Sequence, residues 1–231
     1  MKAISLKIEY LNNPIGIDIC YPRFFWKCDG GIKQTAYQII AECGGKVYWD
    51  SGKVSSNKTT GIPWSGSTLH SRDVVNWKIC LWDESDNPGD WSFAHFEMGL
   101  LHKNDWKAKW ISGGYIPKKN VRYPVDCFQK TFNCETVQRA RLYITACGLY
   151  EAKINGHRAG DFIMAPGFTC YDKRLYYQTY DITEILQQGE NTINIELADG
   201  WFRGSVGAMG VRNVYGKSTQ FFAQLEWITN D

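Results

Sequence analysis

ARLYITACGLYEAKING, residues 140–156, alternates apolar and polar side chains, and the alternation resumes after Gly148. A period of two is typical of a β-strand with one buried face. The stretch ends in Asn155-Gly156, the strongest short signal for a β-hairpin turn. It therefore predicts two strands, the second of which turns back at Asn155-Gly156.

The same period recurs in the first hundred residues, where Val75, Trp77, Ile79 and Leu81 alternate with other side chains. Gly-rich turns such as Asp29-Gly30-Gly31 separate the short strands of this half. About seven short strands at this spacing are typical of an immunoglobulin-like sandwich of roughly 100 residues.

The second half predicts a further β-sandwich that carries one short helix. Asp181 and Glu184 match a capping box ahead of residues 185–188, and Gly189 is placed to end that helix. A basic segment with Trp106 and Trp110 predicts an ordered linker. The expected fold class is all-β with two β-sandwich domains, and the expected bounds are 1–104 for the first sandwich, 105–114 for the linker and 115–231 for the second.

Charge and composition exclude several classes of protein. Lys and Arg total 26 against 24 Asp and Glu, so the net charge of +2 does not favour nucleic-acid binding. The sequence has no run of 18 or more apolar residues, so it predicts no membrane-spanning helix. The start shows no apolar signal segment, which predicts a cytoplasmic protein; a secreted or periplasmic one whose signal was removed is the alternative. The eight Cys lack zinc-site spacing and predict reduced, mostly buried thiols.

The aromatic content leaves two interpretations open. The chain has 10 Trp, 13 Tyr and 11 Phe. Aromatic side chains fill sandwich cores, and they also form flat apolar faces on which sugars stack. For the first half, Trp26, Tyr37, Trp77 and Trp82 are expected in or near the core.

The end of the sequence predicts a continuation. An alternating strand from Phe221 to Ile228 leads into Thr229-Asn230-Asp231. Asn and Asp favour turns, and such a turn normally leads back to a partner strand. We therefore expect a piece of a longer protein, cut inside the second sandwich; the alternative is a chain that ends one hairpin early.

Several runs in order carry a family resemblance. In the first half they are PRFFW (22–26), QTAYQI (34–39), WDSGKV (49–54) and FEMGLL (96–101). In the second half they are ARLYITA (140–146), GLYEA (148–152), ING (154–156), APGFT (165–169), YDKR (171–174), YQTYDIT (177–183), DGWFRG (199–204) and RNVYG (212–216). Together they resemble the fibronectin-III-like module and the N-terminal jelly-roll domain of bacterial α-L-rhamnosidases of glycoside hydrolase family 78.

The resemblance implies a non-catalytic role. The paired carboxylates that hydrolyse a glycosidic bond lie in that family's downstream (α/α)-barrel, so no catalytic residue is assigned here. The parent protein would release terminal rhamnose, and this chain alone would be inactive. Its partners would be a rhamnose-containing glycan and the downstream catalytic domain, with neither nucleic acid nor membrane.

Candidate sugar-binding residues lie in loops of the second half. Trp201 could stack on a sugar while Asp199 and Arg203 bind hydroxyl groups. The alternative is that Trp201 closes the edge of the sandwich and Arg203 pairs with Asp199. Two further loops add candidate residues, namely Arg212, Asn213 and Tyr171.

A cofactor is not required by any motif, but some members of the family hold rhamnose through calcium. Oxygen ligands for such an ion could come from Asp172, Asp199 and Asn213. A rival to sugar binding is a purely structural module that supports the catalytic domain. An exposed aromatic side chain in a concave site would favour sugar binding, and full burial of Trp201 would favour the scaffold.

Overall fold

A computed structural model describes residues 1–119 and 121–229 of the chain. The chain forms two compact units, residues 1–106 and 107–231. The segment 105–114, predicted as a linker, contributes to both. Asp105 accepts a hydrogen bond from Ser71 in the first unit, whereas Ile111 and Ser112 form a strand of the second. The turn predicted at Asn230-Asp231 lies outside the described residues.

The first unit is an antiparallel β-sandwich. One sheet has the order β1-β2-β6, and the other has the order β4-β3-β7-β8 with β5 also paired to β3. Its strands are β1 (Lys2–Ile8), β2 (Arg23–Asp29), β3 (Ala36–Cys43), β4 (Lys46–Asp50), β5 (Val54–Ser55), β6 (Ile62–Pro63), β7 (Val74–Trp82) and β8 (Ser92–Glu97). A 3-10 turn, Lys103–Asp105, follows β8.

Aromatic side chains fill the core of this unit, as predicted for Trp26, Tyr37 and Trp77, while Trp82 is half-buried. The fully buried ring of Phe24 meets the ring of Trp77 edge-on at 4.8 Å. Such T-shaped pairs place the positive edge of one ring against the negative face of the other. The aromatic excess of the first half therefore serves packing.

The second unit is also built from two antiparallel sheets, and here each sheet has four strands. Their orders are β10-β15-β12-β13 and β14-β11-β18-β9, and a small ribbon pairs β16 with β17. Its strands are β9 (Ile111–Ser112), β10 (Asp126–Cys134), β11 (Val137–Cys147), β12 (Leu149–Ile154), β13 (His157–Arg158), β14 (Gln178–Asp181), β15 (Gly189–Ala198), β16 (Ser205–Val206), β17 (Val211–Arg212) and β18 (Gln220–Thr229). The all-β class and the two sandwiches are confirmed, and a jelly-roll topology stays a prediction.

The hairpin predicted at Asn155-Gly156 is present between β12 and β13. Both residues have positive φ, 52° for Asn155 and 81° for Gly156. A two-residue turn of this kind matches the right-handed twist of the flanking strands. The side-chain oxygen of Asn155 also accepts a hydrogen bond from the backbone N–H of Thr192, which ties the turn to β15.

The short helix predicted at residues 185–188 is wrong in position and type. The structure has a 3-10 turn at Thr183–Ile185, and Leu186 is already extended. Asp181 accepts hydrogen bonds from the N–H and hydroxyl of Thr183, which closes a tight local turn. The backbone N–H of Gln187 is bound by the side chain of Asn191. The α-helix of this unit is α1, Gly200–Arg203, which was not predicted.

Two further expectations concern membrane-spanning helices and the cysteines. In the described part of the chain, no helix has the length and apolar character needed to cross a membrane. The eight Cys are free thiols, but only Cys80, Cys134 and Cys147 are buried, so the prediction that most of them are buried is wrong.

Candidate functional site

The site is organised by the junction between β15 and α1. Gly200 has a φ of 52°, and a Cβ there would lie 2.7 Å from the Cγ of Leu149. A residue without a side chain is therefore needed at this point of close backbone approach. The chain then forms a single turn of helix, α1. Asp199 and Arg203 are four residues apart and lie on one face of it.

Asp199 bridges two guanidinium groups. The Nε of Arg203 donates to its Oδ1 at 2.7 Å, and the Nη2 of Arg212 donates to its Oδ2 at 2.5 Å. Arg212 reaches this carboxylate because the β16–β17 ribbon turns the chain back beside α1. The backbone N–H of Asn213 also donates to the carbonyl of Arg203 at 3.1 Å. The polar half of the predicted site is therefore one connected ion-pair network.

Arg203 is the buried centre of this network, with 1% of the residue exposed. Its Nη1 donates to the hydroxyl of Tyr115 at 3.0 Å, and that hydroxyl donates to Asp126 at 3.0 Å. Its guanidinium lies 4.8 Å from the ring centre of Tyr123, within the range of a cation–π interaction. Burial disfavours the charged form, but hydrogen bonds to Tyr115 and Asp199 raise the pKa of Arg203 above its ordinary value.

Two donors of the network have no hydrogen-bond partner among the described residues. They are the Nη2 of Arg203 and the Nε of Arg212, and both are buried. An unpaired buried donor costs free energy unless another group satisfies it. The face of the Tyr123 ring partly meets this need for the Arg203 guanidinium.

An aromatic cluster lies against this network, and we call it the aromatic loop surface. Phe168 meets the ring of Trp201 at 5.7 Å and that of Tyr215 at 6.3 Å, while Tyr171 meets Tyr215 at 5.0 Å and Phe202 at 5.3 Å. Phe168 is 51% exposed and Tyr171 only 9%. Trp201, Phe202 and Tyr215 are half-buried. The surface thus has one open edge, at Phe168, above a packed base.

A close contact fixes the base of this surface. A Cβ at Gly216 would lie 2.3 Å from the Cε1 of Phe202, so glycine allows the loop backbone to approach the ring. Burial raises the pKa of Tyr171, which keeps its hydroxyl neutral. The aromatic base is therefore closely packed and uncharged.

The predicted sugar-binding residues are brought together, but the polar ones are already engaged. Asp199 and Arg203 form the ion pair that was the alternative interpretation, and Arg212 joins them. Trp201 is neither fully exposed nor fully buried. Tyr171 packs inside the aromatic loop surface, which leaves a smaller exposed area than the sequence suggested.

Five aromatic members of the site were not selected as site residues from the sequence, namely Tyr115, Tyr123, Phe168, Phe202 and Tyr215. Tyr115 and Tyr123 precede β10, yet they hold the side chain of Arg203, 88 positions beyond Tyr115. Phe168 lies in the loop after β13 and meets Trp201. A local pattern carries no signal for contacts this distant along the chain. A proline-flanked aromatic loop with an exposed tip, APGFT, is the feature that could have singled out Phe168.

The geometry does not favour the predicted calcium set. Asp172 is exposed, while both oxygens of Asp199 face guanidinium groups that would repel a cation. The side-chain amide of Asn213 donates to the carbonyl of Gly216. Over residues 1–119 and 121–229, no three His, Cys, Asp or Glu side chains cluster in a way that could hold a metal. The calcium set, chosen for its oxygen atoms, stays a prediction.

Comparison with known proteins identifies the two units. The family profile of the α-L-rhamnosidase N-terminal domain matches residues 135–231, and that of the Rha78A-like N-terminal immunoglobulin domain matches residues 3–102. The chain belongs to the α-L-rhamnosidase family and corresponds to its N-terminal region. The resemblance seen in the sequence is thereby confirmed for both halves.

Individual α-L-rhamnosidases are similar over nearly the whole chain. One of Formosa agariphila is 36% identical over 240 residues, covering 96% of this chain and 26% of that protein. One of an Alteromonas species is 33% identical, covering 100% of this chain and 27% of that protein. The crystal structure of α-L-rhamnosidase from Aspergillus terreus superimposes with a TM-score of 0.91 at 32% identity, covering 100% of this chain and 28% of that one.

The chain therefore spans about a quarter of the length of these rhamnosidases. It corresponds to their N-terminal part, and their larger remainder lies outside it. Because the similar proteins include a fungal one, a bacterial source stays a prediction.

Proposed function

We propose that this chain is a non-catalytic part of an α-L-rhamnosidase and that its aromatic loop surface helps to recognise rhamnose-containing glycans. The observation that carries the proposal is the half-exposed ring of Phe168, held edge-on to Trp201 above a packed aromatic base. An exposed, pre-organised aromatic group loses little conformational entropy when a sugar packs on it.

The chemistry of rhamnose suits such a surface. It is a 6-deoxy sugar, so a methyl group and several C–H bonds offer an apolar face. Phe168 and Trp201 would pack on that face, and the indole N–H of Trp201 provides a polar handle. Asp199 and Arg203 act in this proposal as the support of Trp201 rather than as ligands of hydroxyl groups, because they bind each other.

The activity of the parent protein is part of the proposal. Its similarity to α-L-rhamnosidases about four times as long supports a parent that hydrolyses terminal rhamnosides in a downstream catalytic domain. On this account, the 231 residues alone have no hydrolytic activity. The proposed partners are the glycan and that domain.

A structural scaffold is the second candidate, and a specific observation favours it. The ion pairs of Asp199 with Arg203 and Arg212 are internal, and Tyr171 is buried. A module built only to support a catalytic domain needs this rigidity and no sugar contact. The two candidates differ in whether the folded chain binds L-rhamnose.

The test is a titration of the purified chain with L-rhamnose, followed by Trp fluorescence. We expect a saturable change, with an affinity weakened by about tenfold in Phe168→Ala, in line with the loss of one aromatic contact. Phe93→Ala is the matched control, because Phe93 is an exposed Phe of the first unit. L-Mannose, which carries a hydroxyl on C6, should bind more weakly than L-rhamnose.

A flat titration with a folded sample would favour the scaffold and reject sugar recognition. Repeating the titration with calcium or with a chelator tests the calcium prediction separately. Binding that survives chelation would reject a calcium-dependent site, and binding lost on chelation would support one.

A further inference from the structure

The first unit carries a groove on the solvent-facing side of its larger sheet, and we call it the sheet groove. Its volume is about 440 Å³, and it crosses the three neighbouring strands β3, β7 and β8. The lining residues are Asn13, Ile40, Glu42, Asn76, Trp77, Lys78, Phe93, Ala94 and His95. This volume falls within the usual range of small-molecule sites.

One row of outward side chains in the sheet groove is polar. The register places Glu42 of β3, Asn76 of β7 and His95 of β8 beside one another. Neighbouring strands are about 4.8 Å apart, so the row spans roughly 10 Å. Among residues 1–119 and 121–229, no group forms a hydrogen bond or ion pair with these three side chains. Their hydrogen-bonding capacity is therefore available to a ligand.

The neighbouring outward row is mainly apolar. Ile40, Lys78 and Phe93 pair across the same three strands, two positions or roughly 7 Å along from the polar row. The ring of Phe93 is 74% exposed, although burial of such a ring would be favourable. The Nζ of Lys78 lies 5.1 Å from the ring centre of Trp91, a cation–π contact that holds the lysine on the sheet. This row therefore offers an apolar platform beside the polar one.

The core of the first unit supports the base of the sheet groove. Trp77 alternates with the outward residues of β7, is 2% exposed and packs edge-on against Phe24. At one end of the groove, the backbone N–H of His95 donates to the Oδ1 of Asn13 at 3.1 Å, which fixes that amide. A ligand would thus enter a preformed site, which lowers the entropic cost of binding.

The charges of the sheet groove narrow the choice of ligand. Glu42 and Lys78 carry opposite charges, so the groove gives an ionic ligand little net attraction. The centres of protein interfaces are depleted in Lys and Glu, which disfavours a protein partner. A neutral sugar suits both rows, because its hydroxyl groups can donate to Glu42 and accept from Asn76 while its C–H faces pack on an aromatic ring.

We propose that the sheet groove binds a neutral oligosaccharide built of fully hydroxylated hexoses. The polar row takes its hydroxyl groups, and Phe93 takes the apolar face of one ring. The length of the polar row favours a short chain over a single L-rhamnose, whose C6 methyl group offers it no hydrogen bond. The proposal does not depend on rhamnose recognition, since the sheet groove and the aromatic loop surface share no residue.

The test is a calorimetric titration of the 231-residue chain with three neutral tetrasaccharides, built of glucose, galactose or mannose. We expect at least one of them to bind saturably. Phe93→Ala should weaken that binding by about tenfold and Asn76→Ala by about fivefold. Both residues are exposed, so both variants should keep the melting temperature of the unsubstituted protein.

Matched controls place the effect in the sheet groove. Tyr21→Ala, at a 70% exposed Tyr of the same unit outside the groove, should bind the tetrasaccharide unchanged. Tetragalacturonate, which carries a carboxylate on every unit, should bind more weakly because Glu42 repels it. In NMR spectra, the tetrasaccharide should shift amide signals within residues 38–42, 74–78 and 92–96. L-Rhamnose should leave those signals unchanged, so a failure of this proposal is distinguishable from a failure of rhamnose recognition.

Three results would overturn the proposal. The first is a folded chain that binds none of the three neutral tetrasaccharides. The second is binding that Phe93→Ala and Asn76→Ala leave as tight as Tyr21→Ala does, because the sugar would then lie elsewhere. The third is tetragalacturonate binding at least as tightly as the neutral chains, because the groove would then recognise charge.

Discussion

At the scale of single residues, the decisive group is the guanidinium of Arg203. It is buried, paired with Asp199 and stacked near Tyr123. A buried ion pair gives little net stability compared with apolar residues, but removing one partner leaves a charge without compensation. Its structural value is therefore that it fixes α1, and with it Trp201.

Removing the carboxylate of Asp199 tests this role. Asp199→Ala should lower the free energy of unfolding by about 3 kcal/mol, because it strands the buried Arg203 and leaves Arg212 without its partner. Asp172→Ala, at an exposed Asp of the same unit, should change it by less than about 0.5 kcal/mol. Urea unfolding of both variants measures the difference, and equal effects would refute the structural role of the network.

The buried Tyr150 makes the stability of the fold depend on pH in the alkaline range. Its hydroxyl donates to Gln178 at 2.7 Å, and burial together with the neighbouring Tyr180 raises its pKa above the ordinary value. A raised pKa means that the folded state favours the neutral hydroxyl. The resulting stability is complete below the unfolded-state pKa of about 10 and is lost as the pH rises above it.

We expect Tyr150→Phe to cost about 1 kcal/mol at neutral pH, through the lost hydrogen bond, and to reduce the fall in stability above about pH 10. Tyr21→Phe, at a 70% exposed residue, serves as the control and should change neither quantity. The measurement is the free energy of unfolding of both variants and of the unsubstituted protein from pH 7 to 11. An unchanged alkaline slope in Tyr150→Phe would contradict the assignment.

At the scale of elements, the patterns that are local in sequence were predictive. The alternation at Val75, Trp77, Ile79 and Leu81 marks the buried face of β7. Asn155-Gly156 forms its turn because both residues tolerate positive φ. These features depend on neighbours within a few residues, which a sequence pattern records.

Replacing a single turn glycine by alanine tests whether the hairpin turn needs its positive φ. Gly156→Ala should destabilise the protein by about 1 kcal/mol, because a Cβ there meets no atom within 4 Å and the cost is the positive φ of 81° alone. Gly114→Ala also meets no atom within 4 Å and has no positive φ, so it should have little effect. Thermal unfolding of both variants measures the difference in stability. A Gly156→Ala variant as stable as the unsubstituted protein would contradict the prediction.

The elements that were missed depend on distant contacts. The capping box at Asp181 and Glu184 indicated a helix, but Asn191 binds the backbone of Gln187 and the chain extends into β15 instead. Helix α1 is four residues long, too short for a periodic pattern, and forms where Gly200 packs against Leu149. The position of Phe168 over Trp201 likewise needed the folded loops.

At the scale of the whole molecule, the sequence established the class and the family, and the structure located the surfaces. The family follows from several runs in order and from profiles that match both halves. The aromatic loop surface is the part of the second unit to which the proposed function assigns a sugar.

The central claim, that the aromatic loop surface recognises rhamnose, is tested most directly by NMR. Amide and aromatic spectra of the isotope-labelled chain would be recorded during addition of L-rhamnose. The account predicts saturable shifts confined to the loops that carry Phe168, Trp201 and Tyr215, with none at Phe93. Spectra that stay unchanged, or shifts that centre elsewhere in the chain, would contradict it.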